Sequence, residues 1–202
     1  MNQADSEDDF SSPIELSSPF NLRLDWWKDT RSGGDRLKVW AGSMRNVRIA
    51  RAMRAVLGWE EMQGERLLEH STVVYETSNA EKKVEPFYFD GRRGSTAQPI
   101  DIGFSPDSLQ MTSLANPAVE FLCLVGLQRF RPMPIGTPRV FDYYTWEIPL
   151  VACIAPLAVC GMLYEARLRG FRFENAFRTD QRKHKAFTTA TAFARNKQWM
   201  NY

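Results

Sequence analysis

The residues that could do chemistry in this chain are mostly cationic. Arg92 and Arg93 stand side by side between Asp90-Gly91 and Gly94-Ser95. A glycine-flanked tip lets backbone approach a ligand closely, and each guanidinium fork can grip one phosphate through two hydrogen bonds. Arg45, Arg48, Arg51 and Arg54 recur every third residue with no acid among them. On an α-helix that spacing drifts about 60° per step, so the four sweep a broad flank. Their like charges repel unless something anionic meets them. A third group, Arg178, Arg182, Lys183 and Lys185, surrounds His184 and faces one acid, Asp180. Each group also has a plainer reading, as a solvated face that touches water or a surface carboxylate.

Enzymatic chemistry has less to work with. The chain holds two histidines, His70 and His184, no Cys/His cluster at zinc spacing, no phosphate-loop signature and no nucleotide fingerprint. Asp25, Asp90, Asp101, Asp142 and Asp180 are the carboxylates from which a magnesium site would be drawn, but their spacings are not diagnostic and strand-end Asp residues more often cap turns. His184 between Lys183 and Lys185 is the sharper candidate. Like charge on both sides favours the neutral base, as a metal-independent RNA endonuclease would need, with a flanking lysine stabilising the pentavalent phosphate. No second catalytic partner accompanies it, and a histidine inside a phosphate-contacting basic run is the reading adopted. No metal and no cofactor are expected.

The elements must gather these cations. The net charge of +2 conceals an asymmetry: residues 1–20 hold five acids and no base, leaving +7 on the remaining chain. That leader is Ser/Pro-rich, predicting a disordered acidic tail over 1–20, ahead of one domain over 21–187 and a C-terminal helix or tail over 188–202. An acidic tail on a basic body suits a nucleic-acid binder whose tail competes for the same surface. Cys123, Cys153 and Cys160 lie inside apolar runs, as buried free thiols do, and predict a reducing, cytoplasmic setting. The N-terminus lacks the basic-then-apolar order of a signal peptide. Residues 148–164 form the most apolar stretch, but Pro149, Pro156 and Gly161 interrupt it, which predicts a buried strand and a buried helix rather than a membrane span.

Alternation predicts strands over 21–27 and 36–41, paired as a hairpin whose second strand shows Arg36, Lys38 and Trp40 on one face. A helix follows, from an N-cap at Ser43 to a stop at Gly58, and a second helical pattern covers 60–69. Short strands are expected at 72–77 and 87–89, with a polar turn over 78–83, and Ile100 to Phe104 alternates as the return strand of the Arg92-Arg93 loop. Asn116-Pro117 opens a helix over 118–130 that is apolar nearly all round, with Arg129 and Arg131 emerging at its end. A strand over 139–146, a helix from Pro156, a short strand at 171–173 and a weak helix or tail over 188–199 complete the chain. The fold class expected is α+β, mainly antiparallel sheet with a buried central helix and flanking helices.

Several stretches together carry a family resemblance: Leu24-Asp25-Trp26-Trp27, Leu37-Lys38 with Trp40-Ala41-Gly42, Phe89-Asp90 with Arg92-Arg93, residues 101–105, Phe141-Asp142-Tyr143 with Trp146, and residues 178–187. Over most of residues 21–190 the chain resembles the large-subunit-like proteins of the minor type I (subtype U, now G) CRISPR–Cas effectors. The resemblance implies a non-catalytic role in a Cascade-like complex assembled on a guide RNA with other Cascade subunits. Such large subunits recognise the short motif flanking the target DNA, help open the duplex and hold the displaced strand, before a helicase-nuclease is recruited. Carried onto this chain, Arg92, Arg93 and the run Arg178, Arg182, Lys183, His184 and Lys185 are the implied contacts. The reading of the residues adds Lys38, Arg45, Arg48, Arg51, Arg129 and Arg131. At 202 residues the chain is short for a large subunit, which implies a separate small subunit or a compact complex. Two other functions stay open: the His184 endonuclease, and a structural adaptor whose arginines meet an acidic protein.

Overall fold

Local signals are strongest around the second helix, and there the chain obeys them. Asn116 caps the helix: its Oδ1 accepts from Val119 N at 3.1 Å, its Nδ2 donates to Leu68 O at 2.8 Å, and Pro117 takes the first turn. The computed structural model describes residues 12–18, 21–29, 37, 45–90, 114–163, 167–177, 185–187 and 189–194. Within them, β1 (Ile14–Leu16) pairs with β2 (Leu22–Leu24), α1 spans Asn46–Val56, and β3 (Tyr75–Glu76) pairs with β4 (Asn79–Lys83). Helix α2 (Pro117–Gly126) leads to the main sheet, made of β5 (Met133–Pro134), β6 (Val140–Thr145), β7 (Arg169–Phe177), β8 (Lys185–Phe187) and β9 (Thr191–Phe193). A short helix, α3 (Ala155–Val159), lies between β6 and β7 in sequence and packs on β6. Every strand pairing among the described residues is antiparallel, so the fold is α+β with antiparallel sheets.

The largest core gathers β1, β2, α1 and α2. Ile14, Leu24, Trp27, Ile49, Met53, Val74, Phe87 and Leu124 are buried in it. Helix α1 supplies Ile49, Ala50, Ala52, Met53 and Val56 on one side, which leaves its arginines on the other. In the main sheet, β7 is central, with β6 along one side and β8 and β9 along the other. Alternation puts Phe141 opposite Phe173 with rings stacked at 5.7 Å, while Asp142 and Arg172 pair on the reverse face. There Phe193 of β9 covers Gly170, where a Cβ would stand 2.7 Å from the ring, so that position admits only glycine without displacing the ring.

Several expectations need correcting. Residues 14–16 are not part of a tail: three residues alternating apolar and acidic are enough to bury Ile14 and Leu16 and to pair with β2. Among the described residues β2 pairs with β1; the segment over 36–41, apart from Leu37, lies outside them. Residues 79–83 form a strand rather than a polar turn; its side chains are exposed on both faces, so no alternation announces it. Phe87 to Phe89 forms no strand among the described residues, and Tyr88 at φ 64° kinks the chain there; its expected return strand over 100–104 lies outside them. The helix over 60–69 reduces to a 3-10 turn, Glu60–Met62. Helix α2 ends at Gly126 rather than at 130, and Leu122 is exposed on it. Residues 171–173 belong to a longer strand, and part of 188–199 is β9. The apolar stretch over 148–164 is not buried throughout, and Cys153 on it is exposed. Among the described residues, no helix is long and apolar enough to cross a membrane.

Candidate nucleic-acid interface

The α1 flank is the predicted cationic group that the described residues display most fully. Arg45 occupies the N-cap position, extended and without a side-chain cap, Arg48 and Arg54 are exposed, and Arg51 is half-buried. Arg45 and Arg51 are each engaged by contacts of their own. Arg48 meets Glu76 of β3, Nη1 to Oε1 at 3.6 Å, and Lys82 of β4 reaches the same oxygen at 2.8 Å. Two cations from different elements thus share one carboxylate, and the group retains net positive charge. The Lys82 hydrogen bond, and then the Lys82 and Arg48 charges, hold the Glu76 carboxyl below its ordinary range against the opposing pull of burial. Lys82 was missed from sequence, where residues 78–83 read as a turn. Its signal was the Lys82-Lys83 pair close behind Glu76.

Other predicted contacts have structural tasks. Arg131 donates from Nη1 to Asp29 Oδ2 at 2.7 Å, tying the chain after α2 to the segment after β2. Arg129 is exposed. The backbone of Lys185 pairs with Phe177 at the start of β8. Lys38, Arg92, Arg93, Arg178, Arg182, Lys183 and His184 lie outside the described residues.

Two of the stretches that carried the resemblance, 24–27 and 89–90, meet at α2. Residues at intervals of four share one stripe of a helix; here Glu120 and, just past the helix end, Gln128 hold two incoming backbones, and Leu124 between them holds an indole. The buried Glu120 carboxylate accepts from Phe89 N at 3.3 Å and Asp90 N at 3.1 Å, fixing the chain immediately before the Arg92-Arg93 pair. Leu124 O accepts the Trp26 indole N–H at 3.0 Å. Gln128 Oε1 accepts from Asp25 N and Trp26 N, each at 3.0 Å, while its Nε2 donates to Asp25 Oδ1. Trp26 packs edge-on to Trp27 and tilted to Phe89, and Phe89 stacks on Phe87. These two tryptophans are core, not base-stacking platforms. Cys123 sits beside this stripe, where burial first, then Glu120 and Asp90, push its thiol up to about 11. Glu120 and Gln128 were legible only as a polar pair at i and i+8 flanking an apolar helix.

The aspartates among the described residues have other partners. Asp142 takes a two-pronged fork from Arg172, Nε to Oδ1 at 2.7 Å and Nη2 to Oδ2 at 3.0 Å, and Arg172 also lies 4.9 Å over the Phe193 ring. Asp25 is occupied by Gln128, and Asp101 and Asp180 lie outside the described residues. Among the described residues, no group of three or more His, Cys, Asp or Glu is placed to hold a metal ion. No protein family, curated protein or solved structure matches the chain.

Proposed function

We propose that the chain is a non-catalytic subunit of a type I CRISPR RNA-guided DNA surveillance complex. In that role it contacts target DNA beside the guide-paired region, by reading the flanking motif, opening the duplex or holding the displaced strand. The resemblance over residues 21–190 supplies the class of complex. One observation carries the nucleic-acid contact: α1 and β4 bring Arg48 and Lys82 onto a single carboxylate, Glu76, with Arg54 exposed on the same helix. A surface that answers several cations with one acid keeps positive potential for phosphates, and releases counterions when it meets them. Guide RNA, target DNA, the neighbouring Cascade subunits and a recruited helicase-nuclease are the partners this reading requires.

The test uses the purified chain and its reconstituted complex, labelled duplexes with randomised target-flanking bases, and two salt concentrations. Arg51→Gln, Arg54→Gln and Lys82→Gln together are expected to weaken binding about tenfold or more and to lower the slope of log affinity against log salt by roughly 3. An unchanged affinity and slope would remove this surface from the interface. Absence of binding by both the chain and the complex would remove the nucleic-acid reading itself.

A further inference from the structure

The segment from Ile148 to Met162 contains no charged residue, yet five of its large apolar side chains are exposed. Val151 and Met162 are 62% and 61% exposed, Leu157 48%, Ile154 39% and Ile148 37%. Backbone hydrogen bonds link most of them in sequence: Ile154 N to Val151 O, Leu157 N to Ile154 O and Met162 N to Leu157 O, each at 2.9 Å. Val151, Ile154, Leu157 and Met162 therefore follow one another about one turn apart, and the exposed Cys153 is next to Ile154 in the chain.

The segment cannot roll to bury them. Ala155, Ala158 and Val159 are already buried on its inner side, where α3 packs on β6. Gly161, at φ 75°, lies so close to β6 that a Cβ would stand 2.6 Å from the Tyr144 ring. The outward side chains are thus held outward by the fit of the inner ones.

We propose that this face is a two-fold interface between two copies of the chain. Together the five side chains expose roughly 400–500 Å² of apolar surface, the size of the largest patch on a typical monomer, which is often a functional one. A standard interface buries about 800 Å² per partner, a little over half of it apolar, so the patch supplies the apolar share of one such interface. Absence of charge also favours self-association. Across a two-fold axis each residue meets its own surroundings, and an uncharged patch brings no like charges together. The segment itself offers phosphates no cation, which argues against nucleic acid as the occupant. This inference is independent of the nucleic-acid reading and survives its failure.

The test measures the oligomeric state of the nuclease-treated full chain by sedimentation equilibrium from about 1 to 100 µM, a range suited to an interface of this size. The expected result is a monomer–dimer equilibrium that high salt leaves intact or strengthens. Leu157→Lys and Met162→Lys, made separately, should each weaken the dimer at least tenfold while far-UV circular dichroism and the unfolding midpoint stay unchanged. A short bismaleimide should join Cys153 of two copies in the wild type and far less in either variant. A wild-type chain that stays monomeric across the range overturns the proposal. So does a dimer that neither variant weakens, or a monomer that binds a different protein through this face.

Discussion

The α1 flank and the 148–162 face are both outward sides of segments whose inner sides are fully engaged, but the rest of the chain answers them differently. The arginines of α1 draw in a partner from another element, Glu76, which Lys82 then shares. The apolar row of 148–162 draws in no comparable cover, and Val151 and Met162 remain the more exposed for it. A charged row can be partly satisfied by one carboxylate while water solvates the rest, so its exposure carries little penalty. An apolar row has no such compromise. Of the two surfaces, the one without charge makes the stronger demand for a partner, although the charged one is easier to notice in sequence.

Each surface depends on its backing, so the two can be separated by disturbing one backing at a time. The largest effect is expected at Glu120, which is buried and accepts from the backbone of Phe89 and Asp90. Glu120→Ala leaves those N–H groups without this acceptor and should lower stability by about 3 kcal/mol in urea unfolding, whereas Glu120→Gln, which retains an acceptor, should lose about 1 kcal/mol. Equal losses from the two variants would show that the ionised carboxylate with both its oxygens, and not the volume or the single acceptor that Gln keeps, is what Glu120 supplies. Dimer strength, measured below the unfolding transition, should not change in either.

Gly161→Ala acts on the other backing. The new Cβ would meet Tyr144 ring carbons at 2.6 and 2.8 Å, on a backbone held at φ 75°. A loss of about 2 kcal/mol is expected from the clash and the left-handed backbone together. Because α3 must shift off β6 to relieve it, the dimer should weaken as well, while nucleic-acid affinity holds. A variant that loses stability but dimerises normally would show that the patch does not need α3 to be seated on β6.

What was legible in sequence follows the same division. Helices α1 and α2, the Asn116 cap and strand β6 were readable because their signals are local: periodicity, a capping side chain, alternation. Strand β1 was hidden because three residues inside an acidic, Ser/Pro-rich leader look like tail, and their value appears only beside Leu22 and Leu24. Strand β4 was hidden because both its faces are exposed. The 148–162 segment shows the limit most clearly. Its hydrophobicity pointed to burial, but which side faces inward is decided by the fit to Tyr144, and hydropathy says nothing about that. On the candidate interface, the arginines of α1 were readable as a row, while the Glu76 and Lys82 that set its net charge come from a separate hairpin.

The smallest effect tests that net charge directly. Glu76 has its carboxyl held below the ordinary range, by the Lys82 hydrogen bond first and then by the charges of Lys82 and Arg48. A depressed folded-state value means the ionised group contributes stability above the pH at which an unfolded carboxylate titrates. That contribution is lost as pH falls through the folded value. Glu76→Gln should therefore lower stability modestly at neutral pH, where that contribution is fully present and water screening keeps it small, and should flatten the acid limb, because the variant has no such contribution to lose. On the α1 surface the same substitution removes the one acid that Arg48 and Lys82 share. Nucleic-acid affinity should then rise, by about two- to fivefold at low salt, with the gain shrinking as salt is added. Such a gain requires that phosphates contact this very surface, since losing a carboxylate elsewhere would be screened at that distance. If affinity instead falls, Glu76 acts mainly to orient Arg48 and Lys82, and the flank works through geometry rather than through net charge.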